Sequence, residues 1–181
     1  ILSFLMLTKG KTLVLLTSFT AIRDLYLTLN IPLKKLWTTV LAQWVAWSKH
    51  KIANHFKKHS ATSAILGTDS FWEWVDIPWD DLKYLFIHKF PFLVPTDPIF
   101  KARGKLYKDA FLEYSIPKAI IKTRQWFGRL IRTKQDTGIV ILLDDRYFST
   151  SWGWLMRASF PEDIKIKIGS SANFLELLKT K

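Results

Sequence analysis

The chain has 181 residues, a formal net charge of +12 and no cysteine. That length makes one ordinary domain with a sizeable core, and 49% hydrophobic against 23% charged residues makes it globular rather than disordered. The cysteine count excludes a disulfide scaffold, a Cys-ligated zinc or iron–sulfur site and a Cys nucleophile in this sequence, while the basic balance favours a polyanionic partner, nucleic acid before a membrane surface.

The chain begins with Ile1 rather than Met, so its true beginning is expected to be missing. The apolar start, Ile1 to Leu7, has neither a basic leader nor a small-residue cleavage site, so no signal peptide is expected. Uncharged stretches such as Leu36 to Ser48 fall short of the roughly 18–20 apolar residues that span a bilayer. A cytoplasmic protein without a membrane partner is the expectation.

Thr12–Ser18 is an apolar run of the kind a buried parallel strand shows. Thr20–Asn30 has helical spacing through Ile22, Leu25, Tyr26 and Leu29. Thr38–Gln43 reads as a second strand, and Ser48–Lys58 as a basic amphipathic helix with Ser48 as N-cap. Ala61–Thr68 and Leu82–Lys89 read as strands, the first ending in a loop. A connection marked by Pro91, Pro95 and Pro98 leads into a helix over Pro98–Lys108. Pro117–Thr133 is a helix with Pro at its start, Gly138–Leu143 a strand, and Ser151–Ala158 and Ser171–Leu178 helices. The alternation predicts an α/β fold with a mostly parallel β-sheet flanked by helices. In such sheets ligands sit at the loops that follow the C-terminal ends of the strands.

The sharpest motif is Gln125-x-x-Gly128-Arg129-x-x-Arg132. At about 100° per residue these positions fall at roughly 0°, 300°, 40° and 340°, on one face of the Pro117 helix. Ile120, Phe127, Leu130 and Ile131 are expected to dock the opposite face. Two guanidiniums, an amide and a bare Cα suit a polyphosphate, because Arg presents fixed, permanently charged donor forks. The bland alternative is a solvated basic helix side. A second block, Gly67-Thr68-Asp69-Ser70-Phe71-Trp72-Glu73-x-Val75-Asp76, follows a predicted strand. Its hydroxyls and backbone N–H groups could hold a phosphate and its aromatics could stack on bases, unless it is a turn cluster with Trp72 in the core. Asp144-Asp145-Arg146 could bind Mg²⁺, but the adjacent Arg favours an internal ion pair. Gly10-Lys11-Thr12 imitates a P-loop tail, yet Leu5 stands where the motif needs Gly and a strand follows instead of a helix. His55 and His59 have i, i+4 metal spacing without a third ligand. No metal site is expected.

Four blocks in order, LVLLTSF (13–19), ILGTDSFWEWVDIPWDDL (65–82), KFPFLVPTDP (89–98) and EYSIPKAIIKTRQWFGRLIRTKQDTGIVILLDDR (113–146), resemble the C-terminal part of DinG-type helicases, the bacterial relatives of the XPD helicase in superfamily 2. The resemblance covers about residues 8–161. It implies that 1–181 is a single helicase C-terminal RecA-like domain, the second half of an ATP-dependent DNA helicase motor. LVLLTSF would be motif IV, the SFWE block motif V, and the Gln125–Arg132 block motif VI. Arg129 and Arg132 would then be catalytic arginine fingers, with Gln125, Gly128, Glu73 and Asp76 on the nucleotide side of the cleft. Thr17, Ser18, Thr68, Ser70 and Trp72 would contact DNA. ATP with Mg²⁺ would be bound mainly by the N-terminal motor half, which carries the P-loop and the acidic box in that family. The implied partners are single-stranded or forked DNA, ATP and that N-terminal motor domain. No iron–sulfur cluster is expected in this chain, and alone it is expected to be inactive. The alternatives are a non-catalytic nucleic-acid-binding remnant of a truncated or decayed helicase gene and, more remotely, a nucleotide-binding regulatory domain.

Five tryptophans, Trp44, Trp47, Trp74, Trp79 and Trp126, stand where the family pattern carries glycine. Glycine serves where φ is positive or backbones approach closely, so an indole there should be severe. With 9 Trp and 7 Gly in the chain, exchanging the five would bring both toward ordinary usage. A UGA codon that means Gly in the source genome, translated as Trp, would account for this; a decayed gene is the rival.

Overall fold

A computed structural model describes residues 1–45, 47–75, 77, 81–131, 135–160, 164–167, 169, 170, 173, 174 and 176. Five parallel strands form the centre: β1 (Thr12–Leu16), β2 (Thr39–Ala42), β3 (Ser63–Thr68), β4 (Tyr84–Ile87) and β5 (Ile139–Leu142). Their order across the sheet is β2-β3-β1-β4-β5. The register sets Leu13 beside Ile65 and Leu85, and Val14 beside Leu66 and Phe86.

Both sheet faces are covered, which is why β1 is apolar at successive positions rather than alternately. Leu13 and Leu15 point to one face. There they meet Ile52 and Phe56 of α3 (Lys49–His59), Phe71 and Trp72 of α4 (Asp69–Trp74), and Trp126 and Leu130 of α6 (Ile116–Leu130). Val14 and Leu16 point to the other face, against Phe4 and Leu5 of α1 (Leu2–Thr8) and Ile22, Leu29 and Leu33 of α2 (Phe19–Lys34). Each fully buried Leu, Ile or Phe contributes about 1.5–3 kcal/mol.

A third cluster lies beyond β4 and β5. Phe90, Ala119, Tyr147 and Met156 form it, with α7 (Arg146–Ser149) and α8 (Gly153–Ala158) around them. The Pro-marked connection leads into α5 (Pro98–Gly104), capped by Asp97, whose carboxylate accepts from the N–H groups of Ile99 and Phe100. A short π-helical turn at Phe111–Ser115 precedes α6.

The α/β fold with its parallel sheet is as expected, and each predicted strand is present with its ends shortened. Two local expectations are corrected and one element is new. Residues 69–74 are a helix, α4, not a loop; burial of Phe71 and Trp72 against the sheet closes the turn. α1, unforeseen in the sequence, forms because Phe4 and Leu5 bury against the α2 face. The second helix runs on through Pro32 to Lys34, because Leu33 in its last turn is fully buried. The helix expected at Ser171–Leu178 lies mostly outside the described residues. No helix among those described is long and apolar enough to cross a membrane.

Candidate functional site at the C-terminal edge of the sheet

Parallel strands deliver all of their following loops to one edge. Here β1 leads to Thr17 and Ser18, β2 to Gln43, β3 to Thr68 and α4, β4 to His88 and Lys89, and β5 to Asp144–Arg146. Most of the residues singled out in the sequence therefore share this edge.

Thr17 and Ser18 are exposed. Ser18 is the N-cap of α2, its hydroxyl accepting from the Ala21 N–H at 3.2 Å. Thr68 donates its N–H (2.9 Å) and its hydroxyl (3.1 Å) to Gln43 Oε1, and its Oγ1 lies 3.0 Å from the exposed Ser70 hydroxyl. Gln43 is buried, and its Nε2 has no hydrogen-bond partner. It shapes this loop, and sequence reading missed it. A polar residue at the end of an apolar strand was the available signal.

The expectation for Trp72 is corrected. The indole is 2% exposed, packed on the sheet with its Nε1 unpartnered. A base cannot stack on it there, because the amphipathic turn of α4 directs Phe71 and Trp72 inward together. Glu73 faces solvent, with Lys122 at 3.8 Å. Asp76 lies outside the described residues.

α6 is presented much as its sequence pattern requires. Gln125 and Gly128 are exposed, and a Cβ added at Gly128 would meet no atom within 4 Å. The buried side, however, runs through Ile116, Ala119, Thr123, Trp126 and Leu130. Ile120 and Phe127 are half-buried, and Ile131 is 38% exposed past the end of the helix. The docked face is thus turned away from the expected centre, because Trp126 is seated in the core.

Three side chains of α6 reach α4. The Trp126 indole N–H donates to Asp69 Oδ1 at 2.7 Å. Lys122 forms an ion pair with the other Asp69 oxygen. Arg129 donates to the backbone carbonyls of Trp72 and, at 3.0 Å, Glu73. Those carbonyls belong to the last turn of α4, where helix C-termini attract cations. Arg132 lies outside the described residues. The two blocks that looked separate in the sequence are therefore one assembly, and Asp69 is its hinge point.

Beside them, Asp144 is locked to Arg146 through two bonds of 2.8 and 2.6 Å and accepts from the Phe90 N–H at 2.9 Å. Burial alone would raise the Asp144 carboxyl, but these hydrogen bonds and the guanidinium outweigh it and hold the carboxyl below its ordinary range. The ion pair, not a free acidic pair, occupies this position. A cleft of ≈ 230 Å³ opens here, lined by His88, Lys89, Leu143 and Asp144–Arg146. Among the described residues no three His, Asp or Glu side chains are grouped to hold a metal.

The positions expected to carry glycine divide. Trp44 is 72% exposed at φ 62°, a left-handed conformation that favours glycine. Trp47 is half-buried, its ring 5.2 Å from His55. Trp126 is accommodated in the core, contrary to the expectation that an indole would be severe there. Trp79 and the Trp74 side chain lie outside the described residues.

Residues 1–163 match the family model of the helicase C-terminal domain. The chain is 34% identical over 163 residues to the ATP-dependent DNA helicase YoaA of Haemophilus influenzae, covering 88% of this chain and 25% of that one. It is 34% identical over 158 residues to the 3'-5' exonuclease DinG of Bacillus subtilis, covering 84% and 17%. It is 40% identical over 108 residues to the ATP-dependent DNA helicase DinG of Photobacterium profundum, covering 58% and 16%. The chain thus spans a quarter or less of the length of these relatives.

Proposed function

Because the chain belongs to the helicase C-terminal domain family, we propose that it is the C-terminal motor half of an ATP-dependent DNA helicase. The reading assigns it motifs IV, V and VI, working against an N-terminal half that binds most of the ATP and its Mg²⁺. The observation that carries this is the open Gln125–Gly128 face of α6, tied to α4 through Asp69. Mg²⁺ would supply neutralisation of the phosphate oxygens from the other half. This chain offers it no described cluster of ligands, and its buried carboxylate Asp144 is already bonded to Arg146.

In this reading Arg132 and Arg129 meet developing charge on the transferring phosphoryl group, an effect worth roughly 10³–10⁵ in rate where an arginine finger operates. Gln125 and the bare Gly128 backbone allow the phosphates a close approach. Thr17, Ser18, Thr68 and Ser70 hold the backbone of single-stranded or forked DNA through hydroxyl and N–H donors, and Glu73 and Asp76 relay nucleotide state to that contact. Localisation in the cytoplasm follows as part of the same proposal.

A second reading, a nucleic-acid-binding domain without ATP coupling, is favoured by one observation: Arg129 directs its donors to the Trp72 and Glu73 carbonyls. The test joins this chain to the remaining length of the Haemophilus influenzae relative and measures DNA-stimulated ATPase. Loss of at least about tenfold in both Arg129→Ala and Arg132→Ala is expected. ATPase that survives both substitutions overturns the motor reading. Loss in Arg132→Ala alone makes Arg129 a positioning residue that anchors α4.

A further inference from the structure

The basic charge that pointed to nucleic acid is not concentrated where the motifs are. At the motif edge the basic groups Lys49, Lys122, Arg129 and Arg146 bond to Asp69, Asp144 or backbone carbonyls, and Glu73 and Asp145 add negative charge. The opposite edge, where the strands begin, carries lysines. Lys34 and Lys35 lie in the approach to β2, Lys57 and Lys58 in the approach to β3, Lys9 just before β1, and Lys83 just before β4. Strand order β2-β3-β1-β4 places them in that sequence along the edge. Five of the six are exposed and Lys83 is half-buried. None makes an ion pair among the described residues; Asp81 and Asp136 each lie three residues before a strand start, and Asp81 accepts a bond from the Ser60 hydroxyl at 2.7 Å.

The centre of the row is rigidly held. Gly10 is pressed so tightly on the chain leading into β3 that a Cβ would lie 2.4 Å from backbone atoms of Ser60 and Ala61. The Lys11 N–H donates to the Ser60 carbonyl at 2.7 Å. Lys9 and Lys11 flank that contact at φ 62° and 53°, left-handed conformations unusual for a long side chain. Lysines at the C-terminal ends of α2 and α3, and Lys9 at that of α1, offset the carbonyl ends of those helices, but Lys83 has no such role.

We propose that this lysine row binds the phosphodiester backbone of duplex DNA, at a surface separate from the motif edge. Neighbouring strands are about 4.8 Å apart, so four strand starts span about 14 Å. Phosphates recur every 3.4 Å or so along one strand of a duplex, so the row faces about four or five of them. Lysines act as point charges that position a backbone without reading bases. Trp37 is the one exposed indole or phenyl ring among the described residues flanking the row, so a single strand finds no run of rings to stack on. The α3 helix separates the Thr68–Ser70 loop from the row by about 16 Å, so a strand lying along that loop does not touch the row, although α6 ends at Leu130 close to Lys83. The surface suits the duplex arm of a fork, and it stands independently of any ATP coupling.

The test is fluorescence anisotropy of the 181-residue chain with a labelled 20-base-pair duplex, titrated at several salt concentrations. The variant Lys34→Gln/Lys35→Gln/Lys57→Gln/Lys58→Gln is expected to bind at least about tenfold more weakly and to lower the salt slope by about 3. A separate Lys9→Gln/Lys83→Gln pair should lower it by about 1 to 2. A charge-matched control, Arg23→Gln/Lys101→Gln/Lys105→Gln/Lys108→Gln, should keep most of the affinity. Equal losses in row and control variants overturn the proposal, since bulk charge would then explain binding. So does unchanged duplex affinity in the two row variants, or a loss confined to a single-stranded probe. A loss confined to phosphatidylserine vesicles also overturns it and makes the row a membrane contact.

Discussion

Two tryptophans occupy backbone conformations that belong to glycine. At the end of α2 the Thr38 N–H bonds the Leu33 carbonyl (3.0 Å) and the Trp37 N–H bonds the Lys34 carbonyl (3.1 Å). That is a Schellman ending, whose left-handed position is usually glycine, and here it is Trp37 at φ 58°, 88% exposed. Trp44 is the second case, at φ 62°. Neither side chain compensates through burial, so the left-handed penalty of about 1–2 kcal/mol per residue stands. Trp37→Gly and Trp44→Gly are each expected to raise stability by about 1 kcal/mol, or about 2–4 °C in Tm for a domain of this length. Trp126→Gly is expected to do the opposite, losing about 3–5 kcal/mol by opening a core cavity and leaving Asp69 without its indole donor. Thermal melts of the three variants check both signs. UGA is the expected codon at Trp44, Trp47, Trp74, Trp79 and Trp126, and the left-handed conformation adds Trp37 to that set; UGG at the five removes the recoding explanation.

At the scale of elements, the working unit is the pair α4–α6, not either motif alone. Asp69 accepts from Trp126 and pairs with Lys122, and Arg129 closes the other end of α4. Asp69→Ala should therefore weaken the domain by about 1–3 kcal/mol, the cost of stranding a partly buried donor and a charged partner. Glu73→Ala, whose exposed carboxylate reaches Lys122 only at 3.8 Å, should change it by less than about 0.5 kcal/mol. Urea denaturation of both variants is the measurement, and equal effects would mean that Asp69 does not join the helices. The helical spacing of Gln125, Gly128 and Arg129 was legible because a 3.6-residue period fixes which positions share a face. The turn of that face was not legible, since it depended on which large side chain, Trp126 or Ile131, found room against the sheet. α4 was hidden for a similar reason: six residues carry too little periodicity to distinguish a short helix from a loop.

For the whole molecule, acid should act in two stages. Burial, with His59 nearby, lowers His55 below its ordinary 6.5, and burial, with Lys89, lowers His88 despite the raising effect of Asp144. The unfolded chain therefore takes up these protons first. Their contribution is present above about pH 6.5 and is lost as pH falls from there toward the folded values. Asp144, held below its ordinary 3.8, adds stability above that pH, which is lost as pH falls through its lower folded value. Melts between pH 8 and pH 3 should show one decline that begins near pH 6.5 and another that begins near pH 3.8, with His55→Gln reducing the first and Asp144→Asn the second. A melting temperature that is flat from pH 7 to pH 5 would contradict the histidine assignment. What the sequence alone determined is the parallel α/β sheet and which residues follow its strands, because apolar runs, helical period and residue spacing are local properties. Tertiary structure decided the rest. It buried Trp72, joined Asp69 to α6, and gathered lysines scattered from Lys9 to Lys83 onto the edge opposite the motifs. Strand order brings distant residues together, and no local pattern in the chain encodes that order.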